Sequence, residues 1–355
     1  MKTAKKIQRN NFIELERFIA CGAVLLFHAD IMPLGWIFVE FFFILTGLFT
    51  MQHMHSLSGL SPAQERWYPL IYTWHKIKRL FPYTTIGILL MWFYDAVAYH
   101  LNGIGLLKWI LYLPTNLLLL NGFGVQAYGF EIQDGFKAPD LINFQLWYIA
   151  CMIPALIILV FLLQHSKKSR VLVCSILPLI LIGILILLDG TIAGWHQDTI
   201  QLFGLDMRAL AEMLIGVDAW YVMEWLKKKQ FRTSQRVLLT AAELLCFFGI
   251  FIYSWISEQP FEILFILMFA ISVTLSASGQ TYTSRLNFRF FGFLGKISLP
   301  VYCFQMGISS IFGPLFPGMK GKLIMGIILI AFSILVYFLV EGIRKSFRRK
   351  RALHA

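Results

Sequence analysis

The stretch Ile13-Glu14-Leu15-Glu16-Arg17-Phe18-Ile19-Ala20-Cys21-Gly22-Ala23-Val24-Leu25-Leu26-Phe27-His28 is a long apolar segment that carries charged residues inside it. A helix turns about 100° per residue, so eleven steps bring Arg17 and His28 to within about 20° of each other, roughly 16 Å apart along the axis. Glu14 lies one turn before Arg17 and shares its face. Ionisable side chains inside a membrane segment are costly and are therefore functional candidates. The structural alternative is a Glu14–Arg17 ion pair, with His28 hydrogen-bonded to a neighbouring helix.

Outside this segment, the composition of the whole chain is that of an integral membrane protein. Of its 355 residues, 58% are hydrophobic and 14% are charged, whereas soluble domains carry about 25% charged residues. The mean hydropathy is +0.70. Apolar runs of helix length recur along the chain, which favours helices over a barrel. We therefore expect an all-α polytopic membrane protein with a membrane domain at 1–343 and a basic cytoplasmic tail at 344–355.

Eleven apolar runs are candidates for membrane-spanning helices, and the basic residues indicate how many of them cross. If the run at 104–120 does not cross, one side of the membrane receives 25 of the 31 lysine and arginine residues, as the positive-inside rule requires. We therefore expect about ten crossing helices with both termini cytoplasmic, and a re-entrant or interfacial helix at 104–120 that is broken near Pro114. The runs fall at 12–31, 34–52, 82–100, 104–120, 142–163, 171–188, 202–226, 237–256, 261–278, 297–316 and 322–342.

The charge and the cysteine pattern exclude several classes of function. Basic residues at the ends of apolar runs set orientation and contact anionic lipid, so the net charge of +12 does not predict a nucleic-acid partner. The charged start of the chain is similar to a signal peptide, but Glu14, Glu16 and Arg17 interrupt the apolar run, so we expect a retained first helix. The five cysteines form no Cys-x-x-Cys pair, and His53 and His55 lack companion ligands. We therefore assign no metal site and no disulfide framework.

Six stretches, in order along the chain, resemble the bacterial membrane acyltransferase type 3 family. Arg17 and His28 match its signature of an arginine, ten residues and a histidine in the first helix. The second helix of the family usually reads Val-Asp-Phe-Phe-Phe-Val-Leu-Ser-Gly, and here it reads Val39-Glu40-Phe41-Phe42-Phe43-Ile44-Leu45-Thr46-Gly47. The other four matches are Lys76–Pro82, Leu146–Ile149, Arg208–Leu210 with the later Gly216, and Leu294–Tyr302.

The resemblance implies transfer of an acyl group, usually acetyl, from acyl-CoA to a hydroxyl of a cell-surface or lipid-linked glycan, at the bacterial plasma membrane. Acyl-CoA is then a donor substrate, and no permanently bound cofactor is expected. His28 acts as the general base, because imidazole titrates near neutral pH, or as a transient acyl carrier. The sequence leaves both roles open. Arg17 contacts a CoA phosphate or organises the site through Glu14.

Basic residues of the third matching stretch are candidates for donor binding. Lys76, Lys78 and Arg79 lie on the predicted cytoplasmic side, where they bind the phosphates of CoA. The alternative is that they only set topology and touch lipid headgroups. Lysine outnumbers arginine here, whereas the family favours arginine, so bidentate phosphate contacts are fewer.

Acceptor binding is assigned to Arg208, Trp147 and Glu40. Arg208 lies inside a predicted helix, where a lone charge is expensive. Its alternative role is a structural salt bridge to Asp206 or Glu212. Two aromatic residues of the predicted external loops, Tyr128 and Trp195, are candidate stacking platforms for a glycan, although aromatic residues are enriched at any membrane interface.

Two other functional classes fit ten helices with buried charges. The first is a transporter or flippase for a lipid-linked glycan or a small anion, which would show no need for a thioester donor. The second is a noncatalytic scaffold whose partners are glycan-assembly proteins. The chain also departs from the family pattern at Glu40, where aspartate is usual, and at Gln305, where histidine is frequent. These departures concern the choice of substrate more than the type of reaction.

Overall fold

The computed structural model describes residues 10–57, 62–125, 129–165, 167–192 and 201–353. Within these residues, eleven α-helices follow one another in the order of the eleven predicted runs, so the protein is an all-α membrane protein. The helices are α1 Asn11–His28, α2 Phe38–Ser56, α3 Pro62–Ala98, α4 Gly103–Leu117, α5 Trp147–Leu163, α6 Lys167–Asp189, α7 Gln201–Lys227, α8 Thr233–Ile256, α9 Glu262–Ser278, α10 Arg289–Phe312 and α11 Gly318–Leu353.

Six segments in the described part of the chain are long and apolar enough to cross a membrane. They belong to α2, α3, α5, α6, α8 and α11. Helix α9 is apolar but has 17 residues, and α1 and α7 carry charged residues along their length. Ten crossing helices and cytoplasmic termini therefore stay a prediction. Most side chains of α6, α8 and α11 point outwards from the protein, as lipid-facing helices require.

The third helix begins twenty residues before the run that predicted it. Helix α3 starts at Pro62, whereas the apolar run starts at 82. Hydropathy identifies only the part of a helix that suits lipid. Residues 70–81 contain no glycine or proline, which favours extension of the helix through them. The helix also runs through Pro69 to its start at Pro62. Helix α11 likewise continues through the predicted tail as far as Leu353. The cytoplasmic placement of that tail stays a prediction.

Helix α4 is the segment that we expect not to cross. Its 15 residues span about 22 Å, which is less than the roughly 30 Å of a hydrocarbon core. The indole N–H groups of Trp92 and Trp109 each donate to the other residue's backbone carbonyl, at 3.1 and 3.0 Å, so α4 is fixed against α3. The helix runs through Pro114 and ends at Leu117, and Leu119 follows with φ 53°. The predicted break thus lies after the proline, where a left-handed residue stops the helix.

The segment after α4 contains a β-hairpin that was not predicted from the sequence. Strands β1 (Glu131–Gln133) and β2 (Phe136–Lys137) pair antiparallel. Asp134-Gly135 forms the turn, with Gly135 at φ 79°, and Asp-Gly is a strong hairpin signal. The Gln133 side chain accepts a hydrogen bond from the backbone N–H of Asn102 at 3.0 Å. This hydrogen bond joins the hairpin to the start of α4.

The chain divides into two compact units, and the first contains α1, α2 and α5–α9. In this unit, α2 packs against α7 and α9, α6 packs against α7, and α8 packs against α9. The phenylalanine-rich start of α2 supplies the core: Phe38 and Phe41 contact Phe247 and Phe269, with ring centroids 5.2–5.9 Å apart. Each such aromatic pair contributes about 0.5–1.5 kcal/mol beyond its burial.

The second unit contains most of α3, helix α4, the hairpin, most of α10 and helix α11. Hydrogen bonds from polar side chains to backbone carbonyls join the segment before α5 to α10. The Asn143 amide donates to the carbonyl of Cys303 at 2.9 Å, and the Tyr302 hydroxyl donates to the carbonyl of Gln145. Gly87 lies so close to Cys303 that a Cβ there would be 2.3 Å from the carbonyl oxygen.

Candidate functional site

Helix α1 brings Arg17 and His28 to one face, as the sequence predicts. The helix is continuous from Asn11 to His28, and the Asn10 side chain caps it by accepting from the N–H of Phe12 at 2.9 Å. Arg17 is partly exposed and His28 is exposed. Their separation of roughly 16 Å along the axis excludes direct contact, so the two residues lie at different levels of the same helix face.

The Arg17 guanidinium is held by Glu14. Its Nη1 donates to Oε2 of Glu14 at 2.8 Å, and the Glu14 side chain is 5% exposed whereas that of Arg17 is 28% exposed. The ion pair that the sequence offered as a structural alternative therefore exists. The carboxylate holds Nη1 of the guanidinium, and a guanidinium has four further N–H donors.

The His28 imidazole lies at the last residue of α1. Its ring packs edge-on against Phe27, with centroids 5.1 Å apart, and the described residues show no hydrogen bond from its nitrogens. Asp30 follows two residues later, with φ 52°, and its carboxylate interacts electrostatically with the ring. A nearby carboxylate stabilises the imidazolium that forms when histidine takes a proton. Sequence reasoning missed Asp30 because apolar periodicity ends before it.

Gly295 explains part of the Leu294–Tyr302 motif. A Cβ on this glycine would lie 1.9 Å from Oε2 of Glu14 and 2.6 Å from its Cβ. The carboxylate end could rotate away, but the Cβ is fixed to the backbone of α1. Only glycine therefore lets α10 approach the Glu14–Arg17 pair this closely.

We expect Gly295→Ala to destabilise the protein by about 1–3 kcal/mol, because the added methyl overpacks against Glu14. Thermal unfolding of the purified protein measures this loss. Gly183→Ala in α6 is the matched control, since a Cβ there meets nothing within 4 Å. Equal stability of Gly295→Ala and Gly183→Ala would show that the close approach is not required.

A second group of charges, Glu40, Arg208 and Glu212, lies between α2 and α7. Arg208 is fully buried, its Nη2 pairs with Glu40, and its Nε lies 3.2 Å from Oε1 of Glu212. The guanidinium also stands 5.6 Å from the ring of Trp36. Of the two salt-bridge partners offered by the sequence, the structure shows Glu212. The sequence-assigned acceptor residues Arg208 and Glu40 are thus paired with each other and shielded from solvent.

Two glycines let α2 and α7 approach closely enough for this pairing. A Cβ on Gly47 would lie 1.9 Å from the carbonyl oxygen of Met213, and a Cβ on Gly216 would lie 2.0 Å from that of Ile44. Both obstacles are backbone atoms, which do not rotate away. Small residues at such crossings are typical of membrane helix pairs, so the glycines that close two family motifs have a packing role.

Tyr148 is a candidate that sequence reasoning missed. It follows Trp147 at the start of α5, its ring centroid is 4.5 Å from that of Phe43, and its hydroxyl interacts with Thr46 and with the charge of Arg17. The Leu146–Ile149 motif indicates this segment, but does not distinguish its two aromatic side chains. Trp147, which we assigned to acceptor binding, is 8% exposed.

The basic residues assigned to donor binding follow one another on α3. Lys76 is partly buried, and its Nζ lies 5.6 Å above the ring of Tyr72. Lys78 and Arg79 are exposed, and the backbone carbonyl of Arg79 accepts from Nη2 of Arg344 at 3.0 Å. Exposed charges at this point of α3 suit an anionic ligand and a lipid headgroup equally.

Two kinds of sequence assignment remain: the aromatic residues of the predicted external loops, and metal ligands. Tyr128 and Trp195 lie outside the described residues. Among the residues that are described, no three or more His, Cys, Asp and Glu side chains form a group able to hold a metal ion.

Comparison with known proteins gives one match. The family model of the acyltransferase domain matches residues 10–342, which includes all eleven helices in whole or in part. No curated protein and no solved structure matches the chain. This one match includes the Arg17–His28 helix, the Glu40–Arg208–Glu212 group and the Gly295 contact. The chain therefore belongs to the acyltransferase type 3 family of membrane acyltransferases.

Proposed function

We propose that this protein transfers an acetyl group from acetyl-CoA to a hydroxyl of a cell-surface or lipid-linked glycan. The observation that carries the proposal is the polar face of α1, where an exposed His28 and a carboxylate-held Arg17 occur in a chain of an acyltransferase family. The protein is placed in the bacterial plasma membrane. Its termini are cytoplasmic, and α4 is interfacial or re-entrant.

The reaction needs a base, because a hydroxyl is a poor nucleophile at neutral pH. The acceptor oxygen attacks the thioester carbonyl, the new C–O bond forms, and the C–S bond to CoA breaks. His28 takes the hydroxyl proton and returns it to the leaving thiolate, which departs as CoA thiol. Asp30 stabilises the charge on the ring between these two steps. In the acyl-carrier alternative, the imidazole first accepts the acetyl group itself.

The phosphates of acetyl-CoA are assigned to basic side chains. Lys76, Lys78 and Arg79 supply three positive charges within one turn of α3, and ammonium and guanidinium groups are the usual partners of phosphate oxygens. Arg17 is a further phosphate contact, or else positions the donor through Glu14. Both assignments rest on charge and exposure.

We expect Lys78→Gln/Arg79→Gln to raise the KM for acetyl-CoA about tenfold with little change in kcat, because these charges are assigned to binding rather than to chemistry. Steady-state kinetics over a range of acetyl-CoA concentrations measure both constants. Lys345→Gln/Lys350→Gln, which neutralises exposed charges of α11, is the control. An unchanged KM would assign the α3 cluster to topology and lipid contact alone.

The buried charges Glu40, Arg208 and Glu212 between α2 and α7 support acceptor binding only indirectly. Since Arg208 and Glu40 are occupied by their ion pair, we assign them a positioning role, in which they fix the helices that carry Thr46 and Gly47. Trp147 begins the helix that carries Tyr148. Direct contact of Arg208, Glu40 or Trp147 with an acceptor stays a prediction.

The test is a transfer assay that distinguishes an enzyme from a transporter. The full chain is purified in lipid nanodiscs and given acetyl-CoA labelled in the acetyl group, together with a glycan extract from its native host. Label in the glycan with stoichiometric release of CoA thiol supports the proposal. If glycan or anion instead crosses proteoliposomes at a rate that is independent of acetyl-CoA, the transporter alternative replaces it.

A further inference from the structure

Two carboxylates of the first unit are buried without a positive partner. Glu16 of α1 is 1% exposed and Glu243 of α8 is fully buried. Among the described residues, neither forms an ion pair with a lysine, arginine or histidine. Burying an ionised carboxylate costs several kcal/mol unless its charge is balanced. This pair is separate from the Glu14–Arg17 and Glu40–Arg208–Glu212 groups, and the proposed reaction does not use it.

The two carboxylates are surrounded by hydroxyl groups. Oγ of Ser272 donates to Oε1 of Glu16 at 3.2 Å. Oγ1 of Thr283 lies 2.7 and 2.6 Å from the two oxygens of Glu243, and 2.9 Å from Oγ1 of Thr281. Each hydroxyl has one proton to donate and keeps its lone pairs. The surroundings are therefore rich in oxygen atoms.

Two buried oxygens at this place lack a hydrogen bond. Oε2 of Glu16 and Oγ of Ser276 have no partner among the described residues, and Glu16 and Ser276 are 1% and 0% exposed. The Ser276 hydroxyl nevertheless lies close to the carboxyl groups of both Glu16 and Glu243. Buried polar atoms are nearly always satisfied in native proteins, so these two oxygens point to a ligand that accepts lone pairs.

The backbone holds these oxygens in place. Ser272 and Ser276 are four residues apart on α9 and share a face. Gly279 then takes φ 73° and turns the chain back, so that Thr281 and Thr283 reach α8. The N–H of Tyr282 donates to Oγ1 of Thr240 at 2.9 Å, which fixes this turn against α8.

We infer that Glu16, Glu243, Ser272, Ser276 and Thr283 form a binding site for a hard divalent cation. Two carboxylates balance a charge of +2, whereas a monovalent ion would leave one negative charge buried. Four carboxylate oxygens and up to three hydroxyl oxygens match the 6–8 oxygen ligands of Ca²⁺ more closely than the strict octahedron of Mg²⁺. The ion would join α1, α8 and α9 and so fix the part of α1 that carries Arg17.

The experiment uses the full chain in detergent after treatment with EDTA. Equilibrium dialysis with ⁴⁵Ca²⁺ measures binding, and thermal unfolding is followed over series of CaCl2, MgCl2 and, at matched ionic strength, NaCl. We expect saturable binding of about one ion per chain, with an unfolding temperature that rises with CaCl2 concentration. Glu16→Gln and Glu243→Gln should each weaken the apparent affinity about tenfold or more, because each removes a charged ligand.

Glu224→Gln is the matched control, since Glu224 forms a partly exposed pair with Lys227 and should bind like the wild type. If the two carboxamide variants do not purify as folded protein, Ser272→Ala/Ser276→Ala decides the same question through the loss of neutral ligands. The inference is overturned if the wild type binds no ⁴⁵Ca²⁺, if the site variants bind as tightly as Glu224→Gln, or if NaCl produces the same rise in unfolding temperature.

Discussion

His28→Ala should lower the rate of acetyl transfer by about 10²–10⁴-fold, which is the usual contribution of a general base. The acceptor hydroxyl would then have to lose its proton to water as it attacks the thioester. Because His28 is exposed at the last residue of α1, we expect the variant to fold. Initial rates with labelled acetyl-CoA, together with thermal unfolding of the same preparation, measure both effects.

The control for this variant is another exposed histidine of the first unit. His165 lies just after α5, and its Nδ1 is 3.2 Å from the carbonyl of Phe161, so His165→Ala should keep the wild-type rate. Asp30→Asn should show a smaller loss than His28→Ala, because it removes the charge near the ring but keeps the base. If His28→Ala retains the wild-type rate and stability, the histidine is neither base nor acyl carrier.

Arg208→Ala should destabilise the protein more than removal of a charge from a partly exposed ion pair such as Glu224–Lys227. It would leave Glu40 and Glu212 buried without their shared cation, and breaking a buried ion pair from one side costs about 3–5 kcal/mol. We expect a fall in unfolding temperature on the order of 10 °C and a lower yield of folded protein. Thermal unfolding and size-exclusion chromatography in detergent measure these effects.

Replacing Glu40, Arg208 and Glu212 together by uncharged residues distinguishes a structural role of these charges from a role in catalysis or binding. Glu40→Leu/Arg208→Met/Glu212→Leu removes all three charges, and replacement of a buried ion pair by hydrophobic residues of similar volume is often neutral for stability. If the group only positions α2 and α7, this variant should recover both folding and transfer. Recovered folding without transfer would instead assign Arg208 or Glu40 to the acceptor. Lys227→Ala is the control, since its partly exposed pair with Glu224 contributes about 0–1 kcal/mol.

The number, order and approximate position of the helices could be predicted from the sequence. Apolar runs are long, and the backbone of a chain in lipid must satisfy its own hydrogen bonds, which leaves the helix as the natural element for each run. The motif Arg17…His28 also needs no tertiary information, because eleven residues of helix place both side chains on one face. Hydropathy did not predict the start of α3 at Pro62, since its first turns are polar.

The partners of the charges depend on contacts between segments that are far apart in the chain. Arg208 lies 168 positions from Glu40, and no local pattern indicates which carboxylate a buried guanidinium will meet. The sequence offered Glu212 through its spacing of four residues, which is the reach of one helical turn. Glu40 was a candidate only because of its place in a family motif. Its pairing with Arg208 depends on the packing of α2 against α7.

What the sequence alone determined is therefore the list of helices, the polar face of α1 and the family, because each follows from local periodicity or from ordered motifs. The tertiary structure decided that Gly47 and Gly216 lie where the backbones of α2 and α7 approach each other, that Gly295 contacts Glu14, and that Glu16 contacts hydroxyl groups of α9. These contacts depend on the way helices cross, and side-chain packing over the whole unit sets that crossing. Periodicity identifies the face that a helix buries, but not the neighbour that covers it.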